Sequence, residues 1–281
     1  RRVLFRSRKE ELAALEALLQ NADTRLITIV GPGGIGKTRL AIAAAEKQQA
    51  DNRFANGITF VSLASLNEAE EIVPALADAL NLPLDTLSQH QRTAEQQILD
   101  YLRQKQMLIV LDNFEHLLNG AWLVTELLTS APDVKLLVTS RERMQLQEEQ
   151  VFPIRGLEVP GWISPEKATT YSAIQLFVQS ALRSQPDFSP SGEDFNPISQ
   201  ICRLVGGMPL AVELAAGWVD TLSLEDIAAE IQKSIDFLAT DMRNVPERHR
   251  SMRAVFDTTW QQMEETEQDR KSTRLNSSHM S

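Results

Sequence analysis

The sequence predicts an α/β fold, a mostly parallel sheet flanked by helices, followed by an all-helical domain. Three features predict it. Short β-branched apolar runs alternate with helical stretches through about the first 160 residues, the pattern of βαβ crossovers. A glycine cluster joins the first of these runs to a helix. Beyond about residue 160 the strand signal stops, and amphipathic helices punctuated by Pro, Gly and Ser take over.

The elements follow in order. "EELAALEALL" (10–19) carries leucines at helical spacing, and "RLITIV" (25–30) reads as a buried parallel strand ending at glycines. "TRLAIAAAEKQ" after them is helical, "GITFVSLA" (57–64) is a second strand, and "EAEEIVPALADAL" is a helix. "QQILDYLR" (96–103) is a helix that leads into the strand "MLIVLD". "LLNGAWLVTELLTS" is helical, "VKLLVTS" (134–140) a strand and "QVFPI" (150–154) a last short strand. "TYSAIQLFVQSALRS", "PISQICRLV", "PLAVELAAGWV" and "LEDIAAEIQKSIDFLA" then read as helices, and "HRSMRAVFDTTWQQMEETEQ" (249–268) begins further ones. No internal repeat is visible.

The two ends differ from everything between them. "RRVLFRS" and "KSTRLNSSHMS" match neither the acidic composition nor the helical patterning beside them. They resemble translated sequencing-adapter residue, with native tails as the alternative, and both are set aside from fold reasoning. Net charge is −10, and dropping the five basic residues of these ends takes it to −15. A phosphate-backbone binder needs a basic face, so no direct nucleic-acid contact is expected of this segment. No run approaches the roughly 18 apolar residues of a membrane span. The single cysteine, Cys202, excludes an internal disulfide framework and fits a reducing cytosol, hence a cytoplasmic location. The four histidines are scattered, without metal-ligand spacing.

"GPGGIGKT", Gly31 to Thr38, satisfies G-x-x-x-x-G-K-[ST] between a predicted strand and a predicted helix. The glycines let successive N–H groups curl inward toward phosphate oxygens, and the helix adds its positive end. Lys37 supplies a point charge to the β- and γ-phosphates, and the Thr38 hydroxyl ligates magnesium. A plain glycine-rich turn is the bland alternative. Asp112, closing "MLIVLD", is the expected second magnesium ligand, because α/β sheets bind ligands at the carboxyl ends of their strands. The alternative is an Asp that caps the next helix. "LLVTSRER" ends at the same edge, so Thr139, Ser140 and Arg141 would face the phosphates. Arg141 would read the γ-phosphate through its forked guanidinium. Otherwise it is a surface arginine paired with Glu142 or Glu148.

In this order the phosphate loop, "LIVLDNFEHLL", "LLVTSRE" and "GGMPLAVELAA" resemble the STAND class of P-loop NTPases. That class includes the NB-ARC proteins, and the resemblance is nearest to bacterial transcriptional regulators built on that module. It covers about residues 8–268 and implies ATP or ADP with Mg2+ as cofactors. "FRSRKEEL" is similar to the family's adenine-contacting opening, with Ser7 where the family has glycine. The resemblance also implies that "GGMPL" (206–210) brings Pro209 against the base and sugar; from the residues alone it is a glycine pair before a helix-initiating proline. "VPERHRSMRAVFDTTWQQM" looks like the start of a winged-helix domain. The expected organisation is residues 8–160 nucleotide-binding, 161–244 helical and ARC1-like, and 245–270 the start of a winged helix, with 1–7 and 271–281 set aside. The nucleotide-binding set is Gly31, Pro32, Gly33, Gly34, Ile35, Gly36, Lys37, Thr38 and Arg39, with Pro209. Lys37, Asp112, Asn113 and Arg141 are the candidate catalytic residues, and Thr38 and Asp112 the metal ligands.

Asn113 decides the expected mechanism. An acid beside the metal-binding Asp commonly orients the attacking water, whereas an amide takes no proton. Glu115 stands two residues on, at a reach the sequence leaves open. A slow ATPase acting as a signal-transduction switch is therefore expected. Reversing a 1:99 population needs about 5.5 kcal/mol of differential binding, and one buried charge-assisted contact gives about 1.5–3 kcal/mol. The remainder is assigned to a nucleotide-dependent homo-oligomer or to release of flanking effector and sensor domains. A continuously cycling AAA+ motor or loader, and a scaffold with a dead site, are the alternatives.

Overall fold

A computed structural model describes residues 8–84, 92–160, 168–239 and 251–252. Both set-aside ends, and nearly all of the expected winged-helix start, lie outside these residues. The described chain forms two bodies: Arg8–Gly31 with Gly36–Arg155, and Pro32–Ile35 with the residues from Gly156 onward.

The first body is built on five strands: β1 (Leu26–Val30), β2 (Ile58–Ser62), β3 (Met107–Asp112), β4 (Val134–Ser140) and β5 (Glu149–Pro153). They form one parallel sheet in the order β2-β3-β4-β1-β5. The inner strands are apolar on both faces because helices cover both. Met107, Ile109 and Leu111 share a core with α3 (Ile72–Ala79), α4 (Ala94–Leu102) and α5 (Ala121–Ser130). Leu108 and Val110 alternate to the other face and are equally buried. There α2 (Lys37–Ala50) lies on β1, β3 and β4, and α1 (Lys9–Gln20) packs on α2.

Polar contacts fix the ends of these elements. Arg25 donates to the carbonyls of Leu128 (2.7 Å) and Ala131 (2.6 Å), satisfying the last turn of α5 just before β4 begins. Thr93 and Gln96 form a capping box at the start of α4. Two expected helices are interrupted at their first turn. Residues 68–80 open as a 3₁₀ turn, Ala69–Glu71, and 117–130 as Leu118–Gly120, where Gly120 separates the turn from α5.

The helical body comprises α6 (Ser172–Ser184), α7 (Phe195–Leu204), α8 (Pro209–Ala216) and α9 (Leu224–Lys233). Ile174, Phe177, Ile198, Ile201, Val212 and Ile227 are fully buried in one apolar core with Cys202. Trp218 stacks on Phe237 with centroids 4.9 Å apart, and Ser223 caps α9 by accepting from Asp226 N at 3.1 Å. The segment expected as one helix over 224–239 ends at Lys233 and resumes as a 3₁₀ turn, Ile235–Phe237. Among the described residues no helix is long and apolar enough to cross a membrane.

Candidate nucleotide-binding site

Three strand ends meet at one edge of the first body. In register, Val30 lies opposite Ser140 and Leu111 opposite Val138, so β1, β3 and β4 all finish at that edge. The chain leaves β1 at Gly31, whose N–H donates to Ser140 O at 3.4 Å, and re-enters the body at Gly36. Gly36 caps α2 with φ +99°, a left-handed conformation that favours glycine. Lys37, Thr38 and Arg39 form the first turn of α2, with Lys37 buried and Arg39 exposed.

Asp112 collects two hydroxyls on one oxygen. Thr38 Oγ1 donates to Asp112 Oδ1 at 2.6 Å, and Thr139 Oγ1 donates to the same Oδ1 at 2.6 Å. Thr139 Oγ1 in turn accepts from Asn113 N at 2.9 Å. The Thr139 hydroxyl thus ties the end of β4 to the end of β3. Asp112 is not a helix cap: the 3₁₀ turn Phe114–His116 that follows has Asn113 at its N-cap, without a side-chain capping bond.

The cations of the site, Lys37 buried and Arg141 largely so, lie near carboxylates. Lys37 Nζ donates to Gly31 O at 2.7 Å. Burial pushes its pKa down to about 8, Glu115 opposes that shift, Arg141 adds to it and Asp112 opposes it more weakly. Arg141 is no surface arginine. Its Nε lies 3.0 Å from Glu115 Oε1, with the two side chains 13% and 4% exposed. Glu115 is an ion-pair partner that the sequence, which offered Glu142 or Glu148, did not suggest. Glu115 reaches Arg141 because the turn Phe114–His116 folds it back, anchored by the fully buried Phe114.

Asn113 has φ +71° and ψ 53°, a left-handed conformation that Asn tolerates better than most residues. Its Nδ2 lies 3.4 Å from His116 Nδ1, and His116 Nε2 lies 2.9 Å from Leu66 O. A carbonyl only accepts, so Nε2 carries the proton and Nδ1 accepts from the amide. Sequence reasoning missed His116. Its one signal is position, three residues after Asn113.

The other residues expected to bind nucleotide lie in the second body. Pro32, Gly33, Gly34 and Ile35 group there, with Leu210 N donating to Gly34 O at 3.3 Å. Pro209 is buried as the first residue of α8. The glycines before it have a packing reason that sequence does not disclose. Gly207 has φ +64°, Leu157 N donates to Gly207 O at 2.8 Å, and a Cβ on Gly207 would fall 2.2 Å from Leu157 O.

The first-body residues fit a magnesium–phosphate group. A buried ammonium with a depressed pKa is a group that an anion would restore to full charge. The N-terminus of α2 has no acidic residue in its first turn to oppose that anion. Asp112 presents Oδ2 with no hydrogen bond among the described residues, next to the Thr38 hydroxyl, a pair of hard oxygen donors suited to magnesium.

Known proteins resemble this chain. The NB-ARC domain model matches residues 7–156. The Mycobacterium tuberculosis (H37Rv) protein named "Putative HTH-type transcriptional regulator Rv0890c" is 35% identical over 90% of this chain. "Uncharacterized protein Rv0894" of the same strain is 34% identical over 84%. The chain spans 27% of the first relative and 56% of the second. A solved STAND protein with a tetratricopeptide-repeat sensor from Pyrococcus horikoshii aligns with TM-score 0.45 and 17% identity over 93% of this chain and 33% of that one. The matched NB-ARC segment covers more than half of the sequence and holds every strand of the sheet, and the protein belongs to the NB-ARC family of STAND-class P-loop NTPases.

Proposed function

We propose that the chain is an ATP/ADP-binding switch with slow, magnesium-dependent hydrolysis, the regulatory module of a larger transcriptional regulator. Nucleotide binding is what membership of the family implies. The observation that carries the switch reading is the state of the acids beside Asp112. Position 113 holds an amide, hydrogen-bonded to His116, and Glu115 is ion-paired with Arg141. Neither arrangement offers a ready base for an attacking water.

In this reading the loop Gly31–Gly36 and the start of α2 bind phosphates, and Lys37 neutralises them. Thr38 and Asp112 hold magnesium, which when bound neutralises charge on the β- and γ-phosphates. Thr139 orients the Asp112 carboxylate. Asn113 holds a water without deprotonating it. Arg141 reads the γ-phosphate, and Pro209 approaches the base and sugar. The relative named as a transcriptional regulator, of which this chain spans 27%, supports an output through flanking domains, with a nucleotide-dependent homo-oligomer as a further partner.

Single-turnover hydrolysis on the 281-residue chain tests it. The expected rate is at or below about 10⁻² per second, the range of self-contained switches. Turnover of several per second without a partner would replace the switch by a cycling motor. Arg141→Ala should weaken ATP more than ADP; an equal loss would move Arg141 off the γ-phosphate.

A further inference from the structure

We infer that Glu115 sets the preference between nucleoside triphosphate and diphosphate, by competing with the third phosphate for Arg141. The inference rests on the nucleotide reading of the site and adds to it a residue that works against the ligand.

A guanidinium offers the same fork to a carboxylate and to a phosphate. Glu115 already occupies Arg141 through Oε1, at 3.0 Å from Nε. Its other oxygen, Oε2, is buried and has no hydrogen-bond partner among the described residues. A buried ion pair kept for stability needs its remaining lone pairs satisfied, or desolvation outweighs attraction. This one is half-satisfied, which makes it a pair that can be exchanged cheaply.

Charge points the same way. Among the described residues Lys37 feels Glu115, Arg141 and Asp112, so Glu115 brings one negative charge to the two cations. The third phosphate adds further negative charge. With Glu115 in place that charge meets a carboxylate already paired with Arg141. A diphosphate makes no demand on Arg141 and leaves the pair closed. Glu115 thus lowers triphosphate affinity selectively. Because Phe114 anchors the turn, release requires only that the Glu115 side chain rotate away.

The test uses the 281-residue chain, titrated calorimetrically with Mg-ADP and with an ATP analogue bearing a non-hydrolysable β–γ bridge. Glu115→Gln keeps the size and an acceptor oxygen but removes the charge. It should raise the preference for the triphosphate at least fivefold, almost wholly through the triphosphate Kd. In an Arg141→Ala background the same substitution should change that ratio by less than twofold. Glu115→Asp keeps the charge but withdraws it by one methylene, and should shift the ratio in the same direction by a smaller factor of at least two. It also serves if the glutamine variant does not fold. Equal changes for both nucleotides, an unchanged ratio, or an effect that persists without Arg141 would each overturn the role of Glu115 while leaving the nucleotide site standing. A parent chain that binds neither nucleotide removes the underlying reading, and this inference with it.

Discussion

The two bodies bury different chemistry. Among the described residues the α/β body buries Arg8, Glu16, Lys37, Asp112 and Glu115, together with Thr28, Gln48, Thr139 and Ser140. In the helical body the buried polar side chains are Ser172 and Ser180. Burying a charge costs several kcal/mol unless it is paired and hydrogen-bonded. The first body accepts much of that cost at one sheet edge, where Lys37, Asp112, Glu115 and Arg141 converge, and the rest in and just before α1, where Arg8 and Glu16 are buried. The helical body collects mainly apolar contact. A large substitution in the second should therefore be felt as lost stability, and a small one in the first as altered ligand preference.

The sharpest way to break the contrast is Phe177→Ala. Phe177 is fully buried in the helical core and tilts against Phe188 at 6.4 Å. The loss should be about 3–5 kcal/mol, read by urea unfolding followed with circular dichroism. A cost under about 1 kcal/mol would mean that this core is loosely packed, since even one methylene is felt in a close-packed interior.

Lys37→Ala is the counterpart in the α/β body. It should weaken ATP at least about tenfold, or roughly 1.4 kcal/mol, with helical content preserved. Titration with a fluorescent ATP analogue decides, and affinity held within about twofold would sink the phosphate-loop assignment.

Asn113→Asp is gentler. The left-handed backbone at 113 suits Asp as well as Asn, and the new carboxylate can serve as a base. We expect faster single-turnover hydrolysis, with ATP affinity changed by less than about tenfold. A slower reaction would make Asn113 part of a working hydrolase.

A last effect, absent at neutral pH, belongs to Cys202 and sharpens the contrast from the apolar side. Burial pushes its thiol up to about 12. The unfolded chain releases that proton from about pH 8.5, so above it the folded state binds more protons and stability falls as pH rises. Cys202→Ala should flatten this alkaline fall, which amounts to about 1.4 kcal/mol per pH unit at most. Urea midpoints for parent and variant at pH 8 and 10 measure it, and parallel slopes would mean the thiol is not shielded.

The strands and the glycine loop between β1 and α2 were legible because each declares itself locally. A β-branched run such as Leu26–Val30 and a glycine spacing such as Gly31–Gly36 need no knowledge of the rest of the chain. Asp112 was legible at one remove, from its place at a strand end. The pairing of Arg141 with Glu115 was not. It joins residues 26 apart through a left-handed Asn113 and a 3₁₀ turn, and neither has a hydrophobic period to read. The double grip on Asp112 Oδ1 likewise depends on β3 lying beside β4, which spacing along the chain does not reveal. Gly206 and Gly207 read as helix punctuation, whereas the approach of Leu157 to Gly207 is a reason visible only in three dimensions.

The strand order also has a consequence in time. β1 pairs with β4 and β5 and not with β2, so Leu26 finds Leu136 and Glu149 as its partners. During synthesis β1 is made about 100 residues before β4, and at about 5–20 residues per second that delay is roughly 5–20 s. For that interval an apolar strand and its glycine loop have no sheet to join. β2 and β3 pair with each other earlier, but the edge that brings Thr38, Asp112 and Thr139 together cannot exist until β4 arrives between β3 and β1. A nascent chain arrested before Val134 should be open to proteases and to chaperones along Leu26–Val30.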